Sequence, residues 1–164
     1  MHDNDGKEPR RRRANGSGAG AAIDFGPLAG WVGFNLRIAQ ETAFESFSRR
    51  SQEIGQSPGR FATLALIDRN PGISQTELSL GTGRDKSSLT PVVESLVRRG
   101  LVERKRMDRD RRTYRLTLTP AGKTVLRSMM RCARQHERAL DGIIGARDRK
   151  RFLEILKRIA ISLE

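Results

Sequence analysis

Between Arg98 and Arg115 nine side chains are basic and three acidic. Guanidinium groups at that density suit one kind of chemistry, charge-assisted and often bidentate hydrogen bonds to phosphate or carboxylate oxygens. Just upstream stand Lys86, Ser87, Ser88 and Thr90, side chains that hydrogen-bond to base edges or phosphates. Catalysis has poorer material. His2 and His136 lie in a polar N-terminal stretch and among arginines, without metal-ligand partners nearby in the chain. No G-x-S-x-G, P-loop or H-E-x-x-H is present. One cysteine, Cys132, excludes an intrachain disulfide and a cysteine-rich metal site, and reads as structural. The chain therefore reads as a binding protein and not an enzyme, with no metal and no cofactor.

These residues need elements to hold them. Ser74 and Glu77 have the spacing of a capping box that opens a helix, and Gly81-Thr82-Gly83 closes it. Asp85 is the expected N-cap of a second helix, with Leu89, Val92, Val93, Leu96 and Val97 on its buried face. Lys86, Ser87, Ser88 and Thr90 then occupy its first turns, where a recognition helix meets the major groove. Pro91 denies that helix one hydrogen bond, but near its start, where the cost is least. Gly100 ends it as a C′ residue. The period then becomes alternating: Tyr114, Leu116 and Leu118 face one way along a strand whose expected partner is Leu101 to Arg104. Lys105 to Arg112 reads as a polar hairpin loop. The fold class is mainly α with a small β-wing, α+β, built on a winged helix-turn-helix.

The run NPGISQTELS…G…DKSSLTPVVESLVRRGLVER…DRDRRTYRLTLTPAG resembles the winged helix of the multiple-antibiotic-resistance regulator (MarR) family. The most specific part is the segment from Asp110 to Gly122. The resemblance implies a ligand-responsive homodimeric regulator, usually a repressor, on a pseudo-palindromic double-stranded DNA operator. It also implies that Asp110 braces Arg112 for entry into the minor groove. A narrow minor groove does attract an inserted guanidinium, and Arg109 and Arg111 would then neutralise phosphates. A ligand pocket between dimerisation helices and winged helix is implied as well, with Trp31, Phe34, Arg37 and Phe61 as its expected lining. VGFNLRIAQ…PGRFATLALIDRNPGISQ further resembles regulators of aromatic-acid degradation that respond to hydroxycinnamoyl-coenzyme A thioesters. The expected effector is thus a small aromatic ligand or its aryl-CoA thioester.

The formal net charge of +13 points to an anionic partner. It is unevenly placed: residues 73–119 carry +5 and residues 120–164 carry +6. Residues 1–24, with Arg10 to Arg13 and NGSGAGAA, have the composition of a disordered basic tail. Residues 25–164 then form a single domain, with 25–56 and 120–164 as dimerisation helices and 57–119 as the DNA-binding part. Within it a long helix is expected from Pro27 to Glu53, apolar on more than one face and so needing more than one neighbour. Ser57-Pro58 starts the next helix, Thr119-Pro120 another running to about Leu140, and Asp148 to Leu163 the last. No apolar run reaches transmembrane length and no signal core is present, so no membrane is expected and the location is read as cytoplasmic. A protein that coats DNA nonspecifically, without an effector, is the alternative reading.

Overall fold

The computed structural model describes residues 23–55, 57–106 and 114–163. A 3-10 turn at Gly26–Gly30 leads into α1 (Val32–Arg50), and a second at Gln52–Ile54 precedes α2 (Pro58–Arg69). There follow β1 (Ile73–Ser74), α3 (Gln75–Thr82), α4 (Lys86–Arg98), β2 (Val102–Arg106), β3 (Tyr114–Leu118), α5 (Pro120–Ile144) and α6 (Ala146–Ser162). The fold is a mainly helical α+β winged helix-turn-helix.

Local chemistry sets the helix starts. The Ser57 hydroxyl accepts from Arg60 N at 3.4 Å, with Pro58 in the first turn. Ser74 and Glu77 close the capping box in both directions: Ser74 N donates to Glu77 Oε2 at 2.8 Å, and Glu77 N donates to Ser74 Oγ at 3.2 Å. Asp85 Oδ1 accepts from Ser88 N at 2.8 Å to cap α4. That helix ends at a Schellman turn. Gly100, at φ 65°, donates to Val97 O at 2.9 Å, and Leu101 N donates to Leu96 O at 3.0 Å.

Thr119 and Gly122 explain the T-x-x-G spacing. Thr119 Oγ1 accepts from Gly122 N at 3.0 Å and donates to Gly100 O at 2.6 Å. Thr119 N also donates to Leu101 O at 3.1 Å. The start of α5 is therefore stitched to the end of α4. Gly122 is required there because a Cβ would lie 2.0 Å from the Leu101 carbonyl oxygen.

Three antiparallel strands lie in the order β1-β3-β2. Val102 pairs with Leu118 and Arg106 with Tyr114, while Ile73 pairs with Leu116 on the other edge of β3. Leu116, in the central strand, is 1% exposed. Around it the core gathers Leu64 and Ile67 of α2, Leu78 of α3, Leu89, Val93 and Leu96 of α4, and Met129 of α5. Each fully buried aliphatic side chain of this kind contributes about 1.5–3 kcal/mol.

Several expectations need correction. The first helix does not run unbroken from Pro27: Trp31 is extended (φ −84°, ψ 127°), and α1 begins after it. The Asn35 amide holds that break by donating to Trp31 O at 2.8 Å and Ala29 O at 3.0 Å. β1 was not expected, since two residues show no alternation. β2 begins at Val102, because Leu101 is spent on the Schellman turn. α5 passes through Gly142 and stops only at Gly145, where φ is 80°, and α6 begins at Ala146. A glycine costs a helix about 1 kcal/mol, too little to end one that is otherwise continuous.

Of α1 only Phe47 is buried, and α6 buries none of its residues. Phe25, Leu28, Trp31 and Val32 at one end of the chain, and Phe152, Leu153, Ile161 and Leu163 at the other, are exposed apolar side chains.

Candidate nucleic-acid interface and ligand cavity

The first turn of α4 is organised by one carboxylate. Besides capping Ser88 N, Asp85 accepts the Ser88 hydroxyl at Oδ2 (2.9 Å) and the Ser87 hydroxyl at Oδ1. The Ser87 hydroxyl first, then the Ser88 amide and hydroxyl, hold the Asp85 carboxyl well below the usual carboxylate range. The serine protons thus point inward and their lone pairs remain as acceptors. Lys86, Ser87 and Ser88 are all exposed, while Leu89, Val93 and Leu96 anchor the opposite face.

Thr90 has a different setting. It is half-buried; its hydroxyl donates to Lys86 O at 2.7 Å and accepts from Gln75 Nε2 at 2.6 Å. That side chain ties α3 to α4, so it positions the helix more than it presents a reading group. Gln75 was missed by sequence reasoning. Its only signal was a polar residue at the start of α3, which has no meaning until α4 is packed against it.

At the base of the wing the Arg104 guanidinium lies 3.8 Å from the centroid of the Tyr114 ring. Arg115 reaches the other way, donating to Gly72 O at 3.0 Å and pairing with Glu77 Oε2 at 3.4 Å. The hairpin is thereby tied to the start of α3. Arg109, Asp110, Arg111 and Arg112 lie outside the described residues.

A cavity of 660 Å³ opens between α1, α2 and α5. Phe44 and Phe47 come from α1, Phe61 from α2, and Met130 and His136 from α5. The Phe47 and Phe61 ring centroids are 5.5 Å apart, and His136 meets Phe47 edge-on at 5.6 Å. His136 is 8% exposed, and its Nδ1 is buried without a hydrogen-bond partner among the described residues. Leaving a buried polar atom unpaired costs about 1–3 kcal/mol.

Of the expected lining, only Phe61 borders this cavity. Trp31, 60% exposed, precedes α1; Phe34 packs on Phe25 at 5.5 Å; Arg37 is exposed. Those three belong to the N-terminal end of α1, whereas the cavity begins at Gln40. Cys132 is half-buried, and its Sγ donates to Arg50 O at 3.3 Å, linking α5 to α1. Among the described residues no three metal-ligating side chains cluster, and no helix is long and apolar enough to cross a membrane.

A protein of Thauera aromatica named as a transcriptional regulatory protein for the hcr operon is 33% identical over 140 residues, 85% of this chain and 84% of that protein. The MarR family model matches residues 54–113. The chain belongs to the MarR family. Among solved structures, the transcriptional repressor CouR bound to a 23-mer DNA duplex has a TM-score of 0.78 at 32% identity, covering 85% of this chain and 99% of that one. CouR bound to p-coumaroyl-CoA likewise has a TM-score of 0.78, at 30% identity and the same coverage. This MarR-family chain is accordingly a DNA-binding transcriptional regulator, not an enzyme.

Proposed function

We propose that the chain is a homodimeric repressor that binds a palindromic operator and releases it when an aromatic effector, or the CoA thioester of one, occupies the cavity between α1, α2 and α5. The observation that carries the DNA half is α4 itself. Its apolar face is buried in the core, while Lys86, Ser87 and Ser88 stand exposed in its first turn. Lys86 donates to guanine, the serines accept from bases or meet phosphates, and Arg112, braced by Asp110, enters the minor groove with Arg109 and Arg111 on phosphates.

The exposed apolar side chains at the two ends of the chain support the dimer. A two-fold pair presents its reading heads to half-sites about one helical turn apart, ~34–36 Å. The aromatic lining of the cavity supports an aromatic effector, and CouR, the similar repressor, has been solved with an aryl-CoA thioester. The arginines of the last 45 residues, part of a +6 excess, give a thioester's phosphates a reason to bind that a free acid lacks. A ligand must favour the DNA-free arrangement by about 5.5 kcal/mol to move it from 1:99 to 99:1.

Footprinting on DNA beside the chain's own gene, with and without 4-hydroxycinnamate or its CoA thioester, tests the reading. A discrete palindromic site cleared by the thioester is expected. Uniform coating without a site would make this a nonspecific DNA-coating protein, and equal release by the free acid would remove the thioester from the mechanism.

A further inference from the structure

Along one face of α5 stands a row of cations. Lys123, Arg127, Arg131, Arg134 and Arg138 are all exposed. At 3.6 residues per turn their spacing keeps them within an arc of about 80°, and at 1.5 Å per residue the row runs about 22 Å. None of them is paired with a carboxylate among the described residues. Elsewhere the chain does supply partners: Arg49 of α1 and Arg98 of α4 have Glu45 and Glu94 one turn away, each at 3.9 Å. Arg127 and Arg131 reach only the Thr124 and Ser128 hydroxyls of their own helix, at 2.8 and 3.4 Å. Like charges four apart on a helix repel, so the row is unfavourable until an anion lies along it. Arg134 and Arg138 border the cavity described above, whereas Lys123, Arg127 and Arg131 line a second groove beside α2, in which Asp68 is the one acid.

We propose that this row holds a second DNA duplex, so that the operator-bound protein bridges two segments of DNA; the proposal rests on α4 and the wing being the operator-reading surface. α5 starts where both of those elements end. Thr119 Oγ1 donates to the Gly100 carbonyl just past α4, and Pro120 follows β3. The first turn of α4 lies about 18 Å from that end, and the hairpin end of β3 roughly 15 Å. From there α5 packs against α1, α2 and α6, so its row stands apart from the phosphates met by the reading groups. Four of the five cations are arginines, whose planar guanidinium binds phosphate bidentately. A duplex carries one negative charge per ~1.7 Å of its axis, dense enough to meet the whole row. A protein already held on one duplex also meets neighbouring DNA at high effective concentration, which favours nucleic acid over a free acidic protein.

A sandwich capture assay tests this. The operator duplex found by footprinting is immobilised, saturated with the full-length chain, washed, and offered a fluorescent duplex of mixed sequence that lacks the operator. Wild type should hold both duplexes, and retention of the second should fall with salt on a log–log slope of about −4 to −5, five cations at ~0.9 each. The triple variant K123Q/R127Q/R131Q should bind the operator as before, lose the second duplex at least about tenfold, and melt no lower than wild type, since it relieves like-charge repulsion. R127K/R131K keeps the charge and should keep most of the capture. Wild type holding the operator alone, or a second duplex held equally by the triple variant, would overturn the bridge while leaving the operator reading intact. Wild type retaining labelled polyglutamate in place of the second duplex would give the row to an acidic protein and overturn it too. No wild type retained on the operator would overturn the reading of α4 and the wing together with the bridge.

Discussion

Arg115 of β3 and Glu77 of α3 meet at 3.4 Å, and the same Glu77 oxygen accepts the Ser74 amide at 2.8 Å. One carboxylate thus closes the capping box of α3 and ties the wing strand to it. The Ser74 amide and hydroxyl, and more weakly the Arg115 guanidinium, hold its pKa below 4.5. A depressed folded-state pKa means that the contribution is complete above the unfolded value and is lost as pH falls through the folded one. Thermal melts should therefore show stability declining below about pH 4.5, and Glu77→Gln should be less stable at neutral pH with a flatter acid limb. Ser74→Ala removes the other half of the box and should cost about 0.5–2 kcal/mol. An acid limb unchanged in Glu77→Gln would assign it to other carboxylates.

Gly122→Ala should be among the most damaging single-methyl changes in the chain. Its Cβ would fall 2.0 Å from the Leu101 carbonyl oxygen, which already accepts from Thr119 N. The helix and the strand entry must separate, at a cost of about 1–3 kcal/mol or more. Chemical denaturation compared with an Ala121→Gly control measures it; a loss below about 0.5 kcal/mol, the usual surface value, would mean that the contact relaxes freely.

Lys86→Ala and Thr90→Val should weaken operator binding in different ways. A lost base contact costs about 1–3 kcal/mol and relaxes preference at one position. Loss of the Thr90 hydroxyl frees Gln75 and loosens α3 against α4, so affinity should fall evenly across operator variants. Ser88→Ala should resemble Lys86→Ala, although it also gives up a bond to Asp85. Gel-shift titrations against a panel of single-base operator variants separate the two patterns.

Arg112→Ala should lower operator affinity strongly while the melting temperature stays put, and Asp110→Ala should do the same more weakly. On the proposed reading Arg112 gains from the concentrated negative potential of the minor groove, and Asp110 would act only by aiming it. Unchanged binding by both variants would take the wing tip out of the mechanism.

The apolar side chains on α6 should be covered by a second copy. Leu153→Asp, at a position 38% exposed in the single chain, should yield a monomer in sedimentation at micromolar concentration and abolish tight operator binding. A wild-type chain that sediments as a monomer under those conditions would remove the dimer.

The helix starts at Ser57, Ser74, Asp85 and Thr119 were legible in the chain because a cap is a hydrogen bond between residues three apart, as in Ser74–Glu77 and Asp85–Ser88. Gly100 was legible for the same reason, its turn closing on Val97 and Leu96. The buried face of α4 followed from spacing alone, and Leu89, Val93 and Leu96 are nearly inaccessible. Packing decided the rest. β1 exists only because Ile73 and Ser74 find Leu116 and Arg115 on a strand far along the chain. Thr90 became a link between helices only when Gln75 was brought to it. Periodicity tells which face of α1 is apolar but not which of its turns meets α2 and α5, so Trp31, Phe34 and Arg37 were grouped with Phe61, whereas packing joined Phe61 to Phe47 and His136 instead. Hydrogen bonds within one turn are set by the chain's own geometry, whereas contacts between distant segments depend on how whole elements come to rest against one another.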